Sequence, residues 1–167
     1  MKYTEDMSLE ATWDKTKVLL AYLVSKHPNP SVTVLMKLCY LIDLVSLKKN
    51  GGGVTNFRYI RYKFGPFDKA IYSCLEDLAA NDRVSQEQGF ASETANDFIV
   101  FALGKEKLDT NLLTADEIKC ADEVLNEVSG YGAKALTDIA YKTKPMKALG
   151  ATRGGSENLF KELDLKA

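Results

Sequence analysis

The chain has 167 residues, 46% of them apolar and 27% charged, with 22 basic and 23 acidic side chains for a formal net charge of −1. That composition is typical of one folded domain and excludes wholesale disorder. A charge so close to zero also argues against the strong positive field with which sequence-independent nucleic-acid binders neutralise phosphates.

Membrane and export signals are lacking in the sequence. The longest stretch without a formally charged side chain, residues 27–36, contains two prolines and is about half as long as a membrane-spanning helix. Acidic residues interrupt each short apolar stretch near the amino terminus, so no signal-peptide core is present. We therefore expect a cytoplasmic protein, with its three cysteines as buried free thiols.

The first two predicted elements are helices. Apolar side chains repeat at helical spacing over residues 11–26, and two prolines at 28 and 30 end that pattern. Ser31 can cap a second helix that runs through about Leu47 and has almost no polar face. We expect this second helix at the centre of the fold, buried on most sides.

An aromatic and basic segment follows a glycine loop. Residues 57–64 read FRYIRYKF and are predicted to form a strand or an extended segment. Strand alternation puts Arg58 on one face and Arg61 and Lys63 on the other, so the basic side chains do not gather on one surface. Because a phosphate footprint normally gathers charge on one surface, core packing and protein contact are favoured for this segment.

Turn residues and capping signals divide the rest of the chain. Glu117 follows Thr114 at the spacing of a capping box, which marks the start of a helix. The remaining predicted elements are a third helix starting at Pro66, a hairpin of strands 84–88 and 97–103 around turn 89–96, a helix from Thr114 to about Ser129, a helix over 133–141 limited by Pro145, and a last short helix capped by Ser156.

The predicted architecture is α+β and mainly helical, a compact domain of about five to six helices with a small antiparallel β element. Residues 1–149 are predicted to form the domain, and residues 150–167 a flexible connection followed by the short C-terminal helix. The apolar stripe of that helix is expected to dock either on its own domain or in a groove of a partner.

Catalytic motifs are lacking in the sequence. The single histidine, His27, precedes a proline without a suggestive partner, and no zinc, nucleophile-elbow or P-loop motif occurs. We therefore predict that the protein is not an enzyme, with no catalytic residues, no cofactor-binding residues and no metal site. An enzyme with dispersed catalytic groups stays the least favoured of the alternatives.

The order of several segments resembles a known family. LMKLCYLIDL (35–44), a glycine loop, a tyrosine-rich segment closed by FGPF (64–67), and a helix ending in LAANDRV (78–84) resemble the phage-associated, SocA-like Panacea antitoxin domain. Residues 113–141 are similar to the second signature of that family, a capped helix followed by a glycine-linked helix. The resemblance covers roughly residues 10–145.

This resemblance implies a protein without a cofactor that neutralises a toxin encoded nearby by direct protein binding, with possible delivery of the toxin to a protease. No membrane partner is expected because no spanning segment occurs, and the near-zero net charge disfavours nucleic acid as a partner. A nucleic-acid-binding regulator that uses residues 57–64 or the basic stretch 142–153 is the alternative. The candidate residues for partner binding or structure are Lys37, Tyr40, Asp43, Tyr59, Arg61, Gly65 and Pro66.

Three of these candidates, Lys37, Tyr40 and Asp43, follow one another at three-residue intervals along the central helix. Two roles stay open for this polar row, which are contact with a partner and anchoring of the strand that follows. We favour anchoring because polar groups in an apolar helix usually satisfy one another.

Overall fold

A computed structural model describes residues 2–88, 99–104 and 108–167. This part of the chain forms a mainly helical α+β domain, as the sequence predicts, with six helices and two antiparallel hairpins. The elements are α1 (Lys2–Lys26), α2 (Val32–Asn50), β1 (Ile60–Tyr62), β2 (Gly65–Phe67), α3 (Ala70–Ala80), β3 (Val84–Gln88), β4 (Ile99–Leu103), α4 (Ala115–Glu127), α5 (Ala133–Tyr141) and α6 (Lys144–Ala148).

Helix α2 is the central element, in contact with α1, α4, α5 and β2. Its start is fixed by Ser31, whose hydroxyl accepts a hydrogen bond from the backbone N–H of Val34 at 3.2 Å. Its end is fixed by Gly51, which adopts a left-handed conformation with φ of +80° and donates to the carbonyl of Leu47. The cap was predicted correctly, and the helix ends three residues beyond the predicted Leu47.

The hairpin of β1 and β2 corrects the prediction that Pro66 begins the third helix. Pro66 lies in β2, opposite Arg61, and α3 begins only at Ala70. The backbone N–H of Arg61 donates to Lys161 and its carbonyl accepts from Phe160, so its polar groups point away from Pro66. The missing N–H of the proline therefore costs no ladder hydrogen bond, which makes this strand position tolerable.

The C-terminal segment corrects a second prediction, because no helix follows Ser156. Residues 160–163 instead run antiparallel to β1, with a bridge between Ile60 and Glu162. The backbone N–H of Leu163 donates to the carbonyl of Tyr59 at 2.9 Å, and the Leu163 side chain is buried. The segment thus pairs with the edge of β1 and docks on its own domain.

The remaining elements agree with the sequence except at their ends. Strands β3 and β4 pair antiparallel from Val84 opposite Leu103 onward, whereas the predicted turn 89–96 lies outside the described residues. The capping box at the start of α4 is present. Helix α1 is longer than predicted, and α6, which has a proline in its first turn, was not predicted. Cys39, Cys74 and Cys120 are buried free thiols, as expected.

The backbone conformation of Gly65 predicts that the β1–β2 hairpin requires glycine at this position. Gly65 has a φ of +97°, and a Cβ added there would lie 3.4 Å from Cε of Lys37. We expect Gly65→Val to lower the free energy of unfolding by about 1–3 kcal/mol, because a β-branched residue strains this conformation. Chemical denaturation measures the change, and Gly52→Val, at a position with open space, is the control. Equal stability of the two variants would contradict the requirement for glycine at position 65.

Candidate functional site

All seven candidate residues from the sequence are buried, and the structure gathers them where α2 meets the β1–β2 hairpin. They belong to two neighbouring groups of contacts. The polar row of α2, together with Tyr59, Gly65 and Pro66, forms the first group, and Arg61 forms the second. None of these side chains lies on the exterior, so their roles must be judged from their internal contacts.

Asp43 is the most heavily hydrogen-bonded member of the polar row. Its Oδ1 accepts from the backbone N–H groups of Val54 and Thr55 at 2.7 and 2.9 Å. Its Oδ2 accepts from the hydroxyl of Tyr59 at 2.6 Å and from that of Thr55. Burial raises the pKa of the Asp43 carboxyl above its usual range, and these four hydrogen bonds oppose that rise. Asp43 thus ties the loop after α2 to the approach of β1.

Lys37 and Tyr40 anchor other elements to α2. Nζ of Lys37 donates to the carbonyl of Pro66 at 3.0 Å, which holds β2. The Tyr40 hydroxyl lies 2.7 Å from Oγ1 of Thr143, between α5 and α6, and burial raises the pKa of Tyr40 to about 12. The Tyr40 ring also meets Tyr59 edge to face at a centroid distance of 5.2 Å. The three residues of the polar row therefore hold three different parts of the chain.

Arg61 is fully buried and joins three parts of the chain through its guanidinium. Nη1 donates to the carbonyl of Tyr62 and to the hydroxyl of Tyr141, the latter at 2.9 Å. Nη2 donates to the carbonyls of Thr152 and Gly155 at 3.0 and 2.9 Å. No carboxylate accepts from this guanidinium within the described ranges, and its Nε has no partner there. Arg61 thus holds the hairpin, α5 and the C-terminal segment together.

These contacts bear on the alternative that residues 57–64 bind nucleic acid. Arg61 is buried, and Arg58 forms an ion pair with Glu162 at 3.1 Å. Lys63 is exposed, and its side chain makes no ion pair in the described part of the chain. The segment therefore lacks the gathered basic surface that phosphate binding requires.

The outer face of the hairpin carries an aromatic cluster that the sequence analysis did not identify. Tyr62 stacks on Phe67 with centroids 5.1 Å apart, Phe160 lies 5.9 Å from Tyr62, and Tyr72 lies 6.0 Å from Phe67. Phe160 is 63% exposed and Tyr72 47% exposed. We call these four residues the aromatic surface. Strand alternation places Tyr62 on the outer face, but the expected C-terminal helix gave no reason to place Phe160 beside it.

Among the described residues, no group of three or more histidine, cysteine or acidic side chains is placed to hold a metal ion. A cleft lined in part by α1 and α3 contains Lys17 and Asp77, which are 2.9 Å apart in an ordinary ion pair. Within the described ranges, no helix combines the length and hydropathy needed to cross a membrane.

A family model matches the part of the chain that contains the candidate site. Residues 35–145 match the family model described as "Antitoxin SocA-like, Panacea domain". This range begins in α2, includes the hairpin and ends in α6, so it contains the whole polar row and Arg61. No curated protein and no solved structure matches the chain. Because the matched range covers about two thirds of the sequence, the chain belongs to the SocA-like Panacea antitoxin family.

Proposed function

We propose that the protein is an antitoxin that neutralises a toxin encoded nearby by binding it directly. The observation that carries this proposal is the match to an antitoxin-like domain over residues 35–145. The geometry supports it, because the buried polar candidates of the matched range hold the fold together. Protein binding needs exposed contact area rather than reacting groups, and the aromatic surface supplies such an area.

The internal contacts also support a role without catalysis. Asp43 and Tyr59 bind each other in the core, and Lys37 is bound to a backbone carbonyl. A general acid or base must reach a substrate, whereas these side chains are at most 2% exposed. We therefore propose that this chain acts through binding alone.

Nucleic-acid binding is the less favoured function. Residues 57–64 expose Lys63 and Arg58, and Arg58 is ion-paired with Glu162. Arg153 of the basic stretch 142–153 is ion-paired with Asp138. Lys142, Lys144 and Lys147 are exposed in that stretch. A gel-shift titration tests this alternative, since phosphate contacts weaken steeply as the salt concentration rises. The absence of a shift at low salt would exclude a regulator of this kind.

The proposal predicts a toxic neighbour. We expect the reading frame adjacent to this gene to encode a product that stops growth when expressed alone, and we expect growth to recover when this chain is co-expressed. Growth curves under two separate inducible promoters measure both effects. A neighbour that is harmless at high expression, with no protein that copurifies with this chain, would overturn the proposed function.

The amount of toxin during recovery separates two routes of neutralisation. If the antitoxin blocks its toxin by occupying it, the toxin should persist in recovering cells in complex with this chain. If the antitoxin delivers its toxin to a protease, the toxin should disappear, and it should reappear when the protease is removed. Immunoblotting of the tagged toxin distinguishes these outcomes.

A further inference from the structure

Phe160 combines two unusual properties. It is the most exposed of the large apolar side chains in the described part of the chain, at 63%. Its backbone is left-handed with a φ of +66°, a conformation that bulky residues rarely adopt. Asn158, two residues earlier, is also left-handed with a φ of +55°. The fold therefore holds an apolar ring in solvent by means of an unfavourable backbone conformation.

Several hydrogen bonds impose this conformation. The backbone N–H of Phe160 donates to the carbonyl of Arg61 at 2.7 Å, and the N–H of Arg61 donates to the carbonyl of Lys161 at 2.7 Å. The Arg61 side chain binds the carbonyls of Thr152 and Gly155, which fixes the chain before it reaches Phe160. Strain that is fixed in this way is characteristic of functional positions. Its result here is that Phe160 extends the stacked pair of Tyr62 and Phe67.

The surroundings of the aromatic surface indicate the charge of its partner. Three exposed lysines, Lys63, Lys69 and Lys161, lie within two positions of its members in the chain, and none is ion-paired among the described residues. Of the nearby acids, Glu162 is paired with Arg58. Asp68 accepts from two backbone N–H groups. Asp68 keeps its charge, so three lysines stand against one unpaired acid among the charged residues that flank the aromatic surface in the chain. This positive excess favours a partner with acidic side chains around an apolar contact.

The aromatic surface joins residues inside and outside the range that matches the family. Tyr62, Phe67 and Tyr72 lie inside the range that matches the family, which ends at residue 145, whereas Phe160 and Lys161 lie outside it. A contact supplied from outside the shared domain can differ between members without changing the fold. The C-terminal segment is therefore placed to determine which toxin the protein binds.

We propose that the aromatic surface is where this antitoxin holds its toxin, and that Phe160 is the residue of the C-terminal segment that determines specificity. The proposal rests on the proposed function and names the partner's chemistry. The toxin presents an apolar side chain that packs on Phe160 and Tyr62. Aspartate or glutamate residues around that side chain pair with the flanking lysines. Aromatic anchors of this kind dominate many protein interfaces because they bury a large area with few rotatable bonds.

The test compares binding of the adjacent gene product to the full-length chain and to Phe160→Gly. Glycine removes the ring and adopts a positive φ without strain, so the variant keeps the backbone of the segment. We expect its affinity in calorimetry to fall at least about tenfold, with the melting temperature not lowered. Tyr131→Ser is the matched control, because Tyr131 is 42% exposed and makes no ring contact with the aromatic surface in the described structure.

A charge reversal tests the stated chemistry independently. Lys161→Glu should also weaken binding, with a larger loss at low salt than at high salt, because the acidic border of the toxin is then repelled. Binding that is unchanged or stronger in Lys161→Glu would overturn the proposal that the partner surface is acidic.

The remaining outcomes separate the two proposals. If the wild-type chain neither binds nor neutralises the neighbour, the proposed function fails and the surface assignment fails with it. If the wild type neutralises and Phe160→Gly does so equally well, the function stands and the surface assignment is overturned. A variant that loses only self-association, or only a gel shift with single-stranded RNA, would assign the surface to a second copy or to nucleic acid and would likewise overturn it.

Discussion

Asp43→Ala is expected to lower the free energy of unfolding by about 3–5 kcal/mol. The carboxylate is 2% exposed and accepts four hydrogen bonds, from two backbone N–H groups and two hydroxyls. Alanine leaves all four donors without this acceptor in a site closed to solvent, and it also opens a cavity. Urea denaturation followed by circular dichroism measures the loss.

Asp43→Asn is the matched comparison. Its amide oxygen can still accept from the N–H groups of Val54 and Thr55, while its NH2 group meets the hydroxyls of Thr55 and Tyr59, which can turn to accept. We therefore expect a smaller loss than for alanine. A loss below about 1 kcal/mol for Asp43→Ala would show that the loop after α2 is held by other contacts.

Arg61→Ala is expected to cost about 3 kcal/mol or more, because it leaves three carbonyls and the Tyr141 hydroxyl without their donor and removes a large buried side chain. The loss should be concentrated in the C-terminal segment, whose carbonyls at Thr152 and Gly155 the guanidinium binds. Hydrogen exchange should accelerate over residues 158–163 in the variant. Denaturation and exchange together measure both effects.

Two further variants test whether the loss of stability is specific to the guanidinium of Arg61. Arg61→Lys supplies one compact ammonium that cannot reach both pairs of acceptors, so we expect an intermediate loss. Arg58→Ala removes a basic side chain from the exposed face of the same segment, where an ion pair contributes little, so it should leave stability nearly unchanged. Similar losses for Arg58→Ala and Arg61→Ala would contradict the structural role of Arg61.

Local signals account for the correct predictions. Ser31 and the pair of Thr114 and Glu117 act on N–H groups within a few positions, so their effect is readable from a short stretch of sequence. The apolar composition of α2 likewise indicated a central helix. Lys37, Tyr40 and Asp43 each contact a different part of the chain, and the anchoring role favoured for them stays a prediction.

The wrong predictions concern segments whose structure is decided by residues distant in the sequence. A proline such as Pro66 suits both the first turn of a helix and a strand position without a ladder bond, and the pairing of Arg61 with residues 160 and 161 decides between them. Ser156 and the leucines after it fit a helix locally, but the chain forms turns over residues 157–160 and then pairs with β1. Since Phe160 is not glycine, its left-handed backbone gave no signal in the sequence.

Arg61 illustrates the same limit at the candidate site. Strand alternation placed it correctly on the face of Tyr59, but a charged side chain is rarely expected in the core. Its acceptors at Tyr141, Thr152 and Gly155 lie 80 to 94 residues away in the chain. Only the folded arrangement shows that backbone carbonyls surround this guanidinium, and the aromatic surface is a product of the same arrangement.

The most direct test of direct toxin binding is a titration of the purified adjacent gene product with the purified chain after nuclease treatment of both. We predict a saturable heat of binding, a single complex on size-exclusion chromatography, and loss of toxin activity as the complex forms. The contrary result is the absence of any complex between the two purified proteins while co-expression still restores growth. That result would show that neutralisation does not proceed through direct protein binding.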